Sequence, residues 1–187
     1  MNDYSDEQLD SAVAVIGMAG RFPKSPDLES FWQNLAEGRE CISFFSKEEL
    51  MAAGVSEAEI DNPGFVNAIA ALGDVDLFDA AFFGLSPIDA TVTDPQIRLF
   101  LECAVHAIEN AGYDPERYSG KIGVYAGSGM STYIMSLLKN PELLSRVDPL
   151  QLMHSNDKDY LATKTGYLLN LRGPCLSINT ACSTSLV

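Results

Sequence analysis

Leu176-Ser177-Ile178-Asn179-Thr180-Ala181-Cys182-Ser183-Thr184-Ser185 changes character half-way along. Its first half, residues 176–180, reads as a short strand, and from Ala181 onward small residues take over and a helix is expected. A cysteine just inside a helix start faces unpaired backbone N–H groups, whose partial positive charge favours thiolate over thiol. The same donors can receive the oxyanion formed when a thiolate attacks a carbonyl. Cys182 is therefore a candidate nucleophile, and the competing reading is a small buried packing cysteine.

Working outward, the same alternation recurs. Residues 122–126 (Ile-Gly-Val-Tyr-Ala) form an apolar run punctuated by Gly127-Ser128-Gly129, and residues 12–18 (Ala-Val-Ala-Val-Ile-Gly-Met) read as a buried strand ended by glycine. Between them lies the longest helical pattern, over 95–111. It is opened by Asp94-Pro95 and ended by Gly112, with Ile97, Leu101, Ala104, Val105, Ile108 and Ala111 on one face. Ser25-Pro26-Asp27 predicts a helix start, with Pro26 at its first position and a stop near Gly38. Residues 41–75 read as irregular, with short capped helices at 46–50 and 56–59 and a turn at Asn62-Pro63-Gly64. A helix is expected over 131–139 and helix-forming residues over 158–170. Strands alternating with helices indicate an α/β sheet. Residues 1–11 read as a short polar leader and 12–187 as one unit without repeat or linker.

Composition narrows the function classes. Apolar residues make up 47% of the 187 and charged residues 20%, enough for a packed core. Twelve Lys and Arg against 26 Asp and Glu give a net charge of −14, which opposes a role as a nucleic-acid or anionic-membrane surface. No apolar run approaches the ~18–20 residues of a membrane span. The N-terminus lacks the basic and apolar regions of a signal peptide. Cys41, Cys103, Cys175 and Cys182 form no CxxC pair and only His106 and His154 accompany them, so neither a zinc site nor a disulfide scaffold is expected. A reduced, cytoplasmic protein is the expectation. Gly127-Ser128-Gly129 lacks the third glycine and the acidic partner of a dinucleotide loop. Asp157-Lys158-Asp159 reads as a solvated, locally paired loop, or else as part of a substrate entrance.

Residues 180–186 (Thr-Ala-Cys-Ser-Thr-Ser-Leu) closely resemble the nucleophile segment of the β-ketoacyl synthases, specifically the ketosynthase domains of modular polyketide synthases. Further stretches match the same family in order: residues 14–23 (AVIGMAGRFP), 75–87 (VDLFDAAFFGLSP), 94–103 (DPQIRLFLEC), 109–113 (ENAGY), 156–163 (NDKDYLAT) and 171–174 (LRGP). The resemblance implies a thiolase-like fold with αβαβα layers, of which this chain covers most of the N-terminal half. It implies transfer of an acyl chain from the phosphopantetheine arm of acyl carrier protein to Cys182, then decarboxylative condensation with a malonyl-type extender. Cys182 would be the nucleophile and its own N–H an oxyanion donor. No cofactor is expected to bind directly. Expected partners are acyl carrier protein, a second copy in a homodimer and neighbouring polyketide synthase domains.

The family's two catalytic histidines and supporting lysine lie downstream of its cysteine, whereas Val187 follows Cys182 by only five residues. His106 and His154 match neither histidine motif and are expected to have no chemical role. The 187 residues alone are thus expected to be inactive, and the alternative is a truncated or split ketosynthase serving as a dimerisation or docking module. A cysteine hydrolase lacks a histidine base here. Ala70-Ala71 stands where the family carries glycine. Cys41, Cys103 and Cys175 are expected to be packing residues. Docking of an acidic carrier protein would need a local basic patch, with Arg172 and Lys164 as candidates.

Overall fold

The computed structural model describes residues 12–187, so the expected leader at 1–11 lies outside the described residues. These residues divide into two compact units, one of residues 20–77 and one of residues 12–19 with 78–187.

In the smaller unit, helix α1 (Leu28–Ala36) is capped by Asp27, whose carboxylate accepts the Ser30 N–H at 2.8 Å. Pro26 therefore precedes the cap instead of opening the helix. Ser25 is unavailable for capping: it is buried, its hydroxyl accepts from the Asn34 side chain at 2.8 Å, and its backbone pairs with Phe22. Gly38 ends the helix at φ +64° as expected. Ser46 and Glu49 cap each other's backbone at the start of α2 (Lys47–Ala52), and Ser56 caps α3 (Glu57–Ile60). The turn at Asn62 forms, with its side chain accepting the Gly64 N–H at 2.9 Å. Within the stretch read as irregular, β1 (Ser43–Phe44) pairs antiparallel with β2 (Ala68–Ile69).

The larger unit carries the longest helix. Ser86 and Asp89 box the start of α4 (Pro87–Val92), and Asp94 caps α5 (Pro95–Asn110) by accepting the Gln96 N–H at 2.7 Å. Gly112 follows at φ +76°. Next come β3 (Val124–Ala126), α6 (Tyr133–Leu137), α7 (Pro141–Leu144), α8 (Pro149–His154), a 3₁₀ turn Lys158–Tyr160, α9 (Leu161–Leu168) and β4 (Cys175–Ser177). β3 and β4 run parallel, Val124 opposite Cys175 and Ala126 opposite Ser177. The long helical crossover between them is what parallel pairing requires. Ile97, Leu101, Val124, Ala126, Leu161 and Ala162 form the core, joining α5, the sheet and α9. A second cluster, Val92, Leu137 and Val147, ties α4 to α6. Arg98 is buried with its guanidinium 6.0 Å from the Tyr133 ring centre, and its Nε has no hydrogen-bond partner among the described residues.

Burial along α5 departs from the expected uniform face. Ile97 and Leu101 are fully enclosed, but Ala104, Val105 and Ile108 are only half-buried. The reason is length: sixteen helical residues span about 24 Å, whereas three-residue strands cover about 10 Å. On the sheet itself, Val124 and Ala126 face the core while the paired Tyr125 and Leu176 are exposed.

The expected strand over 12–18 does not form. The segment has no backbone partner among the described residues, and Val13 is 93% and Val15 77% exposed. A strand needs a neighbour for its N–H and C=O groups, and none is present among those residues. The segment is tied at its end, where the Met18 N–H donates to Asn110 Oδ1 at 3.0 Å. Gly17 there lies so close to Ala107 and Ala111 that a Cβ would overlap the Ala107 carbonyl.

Candidate active site

β4 ends at Ser177, three residues before the expected end of the strand. The Ile178 N–H still donates to the Ala126 carbonyl at 2.8 Å, and then the chain turns away from β3. The turn is made at Ala181, a non-glycine residue at φ +53°, in the left-handed region that L side chains adopt at a cost. The helix expected from Ala181 onward is a 3₁₀ helix, over Ala181–Leu186. Hydroxyls accompany the tighter winding and take up one N–H and two carbonyls at its start. Thr184 Oγ1 accepts the Thr180 N–H at 2.9 Å and donates to the Ala181 carbonyl at 2.8 Å, while the Ser183 hydroxyl donates to the Thr180 carbonyl at 2.9 Å.

Cys182 lies on the outer side of this turn and is exposed, whereas Cys41, Cys103 and Cys175 are half-buried. It borders a cavity of about 600 Å³. Residues 127–130 form one wall, and Asn179, Ala181 and Thr184 accompany Cys182 on the other, with Lys158 completing the lining. The Gly127-Ser128-Gly129 turn thus faces the cysteine segment. Gly127 must be glycine for this approach, since a Cβ would collide with the Ile178 carbonyl and the Thr184 methyl. On the other side of the loop, the Gly129 N–H donates to Gln96 Oε1 at 3.0 Å.

Neither histidine lines this cavity. His106 is exposed on α5, and His154 ends α8 with its ring 4.3 Å from that of Tyr160. The 157–159 segment is locally paired as expected: Lys158 meets Asp159 at 3.1 Å, and Asp157 caps the Asp159 N–H at 2.9 Å. Lys158 nevertheless reaches the cavity beside Cys182, so the loop also shapes that space. Arg172 is exposed, but Lys164 is a poor surface cation. Its ammonium points inward and donates to Thr93 Oγ1 at 3.1 Å and Ser155 Oγ at 3.2 Å. Burial pushes that ammonium below its ordinary pKa, with nearby Asp89 partly opposing the effect. Asp89 is itself held below the usual carboxylate range by the Ser86 hydroxyl, with a further donor in Gln151. Cys175 packs on the core as expected, its Sγ filling the space left by Gly166. No group of His, Cys, Asp and Glu suited to a metal ion occurs among the described residues.

Lys158, Ala181, Cys182 and Thr184 of this cavity belong to stretches that carry the sequence resemblance, and comparison with known proteins covers the whole lining. The profile of the family described as "Beta-ketoacyl synthase, N-terminal domain" matches residues 10–187. The chain belongs to the β-ketoacyl synthase family. One protein of the phenolphthiocerol/phthiocerol polyketide synthase of Mycobacterium tuberculosis is 46% identical over 185 residues, covering 95% of this chain and 12% of that protein. Polyketide synthase ThaG of Burkholderia thailandensis is 38% identical over 189 residues, covering 94% of this chain and 3% of its own length. Among solved structures, ketosynthase twelve of the bacillaene polyketide synthase of Bacillus amyloliquefaciens superposes with a TM-score of 0.78 at 34% identity. That match covers 92% of this chain and 30% of the other. The fold is accordingly thiolase-like, and this ketosynthase chain corresponds to its N-terminal half. It spans only a small part of the curated relatives it matches.

The sequence puts Cys182 just past a strand end, as the structure does, but shows neither the Gln96–Gly129 contact nor the inward course of Lys164. Gln96 follows a capping Asp-Pro, which gives its position in the helix and says nothing of a partner 33 residues away.

Proposed function

We propose that this chain is the nucleophile-bearing part of a polyketide ketosynthase, with Cys182 as the acyl acceptor. The Cys182 thiolate attacks the carbonyl of a thioester carried on the phosphopantetheine arm of acyl carrier protein. A new C–S bond forms, and the tetrahedral oxyanion is received by backbone N–H groups that include that of Cys182. The old C–S bond then breaks, and the pantetheine thiolate leaves and takes up a proton. A malonyl-type extender on carrier protein next loses CO₂, and its carbanion attacks the acyl-Cys182 carbonyl and expels the cysteine thiolate. Proton handling in the second step calls for a general acid or base that neither His106 nor His154 supplies at this cavity. In the same proposal residues 1–11 are a leader and 12–187 belong to the ketosynthase domain. The protein acts in the cytoplasm as a homodimer beside neighbouring synthase domains.

The observation that carries this reading is an exposed cysteine on a tight turn at a strand end, opening on a cavity of about 600 Å³. Incubating the full-length protein with a short acyl thioester and mapping peptides by mass is expected to place the acyl group on Cys182. Cys182→Ala removes that adduct while leaving the thermal transition nearly unchanged. Acylation of Cys41, Cys103 or Cys175 instead, or none in the wild type, overturns the assignment.

A further inference from the structure

Gln96 stands at the second position of α5, where its backbone N–H is already taken by the Asp94 cap. Its carboxamide is therefore free to work elsewhere, and it reaches the loop after β3. Oε1 accepts the Gly129 N–H at 3.0 Å, while Nε2 lies 3.4 Å from Asp94 Oδ2 and 3.5 Å from the Gly129 carbonyl. The cap and the loop thus share one side chain. Gly127, two residues earlier, is seated directly against Ile178 and Thr184, the segment that bears Cys182. Residues 127–130 are in this way fixed at two points, by close packing at Gly127 and by a hydrogen bond at Gly129. Between and beyond those points they form the wall of the Cys182 cavity, with Met130 81% exposed and Ser128 between the anchors. The anchor is rigid, because α5 is held by Leu101 and Ile97 in the core and by the Asp94 N–H bonded to the Ser155 carbonyl at 2.9 Å.

We infer that Gln96 is a positioning residue for acyl transfer, holding the Gly127–Gly129 wall at the distance from Cys182 that an acyl thioester needs. This rests on the reading of Cys182 as acyl acceptor, while the hydrogen-bond clamp itself does not. Releasing the wall frees Gly129 to shift relative to the cysteine and blurs the space in which the thioester must be aligned. Misplacement on the order of 1 Å costs up to about 100-fold in rate for an aligned reaction. The thiol itself is untouched, so a small reagent that needs no alignment is insensitive to the change.

The test uses the full-length protein with Gln96→Leu, which keeps size and removes both polar contacts, and Gln96→Glu, which keeps an oxygen acceptor for the Gly129 N–H. Amide exchange in peptides covering residues 127–132 is followed by mass, together with saturation kinetics of Cys182 acylation by an acyl-pantetheine thioester and the rate of alkylation by iodoacetamide. Expected for Gln96→Leu are faster exchange at Gly129, acylation kcat/KM lower by about tenfold or more, and alkylation within about twofold of wild type. Gln96→Glu keeps the acceptor for the Gly129 N–H but turns its other oxygen toward Asp94 Oδ2 and the Gly129 carbonyl, so it recovers part of both protection and acylation. Unchanged exchange in Gln96→Leu overturns the clamp. Faster exchange with unchanged acylation, or equal losses in acylation and alkylation, overturns the positioning role. A wild-type protein that is not acylated at Cys182 overturns the proposed function and the positioning role with it, whereas the clamp stands or falls on exchange alone.

Discussion

Residues 12–18 and 122–126 are near twins in composition: both are apolar, rich in β-branched residues and interrupted by glycine. In the structure they part company. Residues 124–126 pair with β4 and bury Val124 and Ala126, while residues 12–18 find no backbone partner among the described residues and leave Val13, Val15 and Ile16 open to solvent. The difference lies outside both segments. Beside the second run, Leu171-Arg172-Gly173-Pro174 delivers β4 into register, with the Gly173 N–H on the Ile122 carbonyl at 2.8 Å and the Val124 N–H on the Pro174 carbonyl at 2.7 Å. Nothing among the described residues does the same for the first run. Strand propensity is a readiness to pair, and the partner decides the outcome.

The largest effect should fall under the paired run. Leu101 is fully buried against Val124 and Ala126, so Leu101→Ala is expected to cost about 2–5 kcal/mol in a urea titration. An unshifted midpoint would break the contrast, because it would mean that the two runs are equally uncovered.

Next come two tightly packed glycines, one beside the paired run and one within the unpaired run. A Cβ on Gly173 would meet the Gly123 backbone, and one on Gly17 the Ala107 carbonyl. Gly173→Ala and Gly17→Ala should each cost about 1–3 kcal/mol by forced displacement. If Gly17→Ala is neutral, the unpaired run is not held even at its end.

A smaller effect concerns the crossover that brings the paired strands together. The Lys164 ammonium is depressed below its ordinary value of 10.5 by burial. Between the folded and unfolded pKa values the unfolded chain binds more protons, so stability rises with pH across that window and levels off above about 10.5. Lys164→Met should flatten this rise, read as thermal midpoints from pH 7 to 11. A variant with the same slope as wild type would show that Lys164 is solvated. Smallest of all, Val13→Ser should change stability by no more than about 0.5 kcal/mol, since that side chain is 93% exposed. A larger loss would reveal a contact on the unpaired run.

The features legible in the sequence are those whose causes lie within a few residues. Ser46 with Glu49, Ser56, Asp94-Pro95 and Gly112 mark helix ends because each cap bonds only its own first or last turn. Cys182 was legible as a residue at the exit of a strand, and the resemblance of its neighbours pointed to the same family as the profile match to residues 10–187. Long-range satisfaction was not legible. Ser25 looked like a cap until Asn34 claimed its hydroxyl, and Lys164 looked like a surface cation until Thr93 and Ser155 drew it inward. The 3₁₀ winding at Ala181–Leu186 goes with three hydroxyl contacts made together, which no single-residue propensity expresses.

The parallel pairing of β3 with β4 also sets an order of events in time. Their register joins positions roughly fifty residues apart, and closing a loop of that length costs entropy before any contact repays it. As the chain leaves the ribosome, α5 and the 127–130 wall can form with β3 still single, but the side of the cavity that bears Cys182 follows β4. The thiol therefore joins the open cavity only at the end of synthesis of this segment, and a nascent chain halted between the two strands has neither Cys182 nor the segment that seats it.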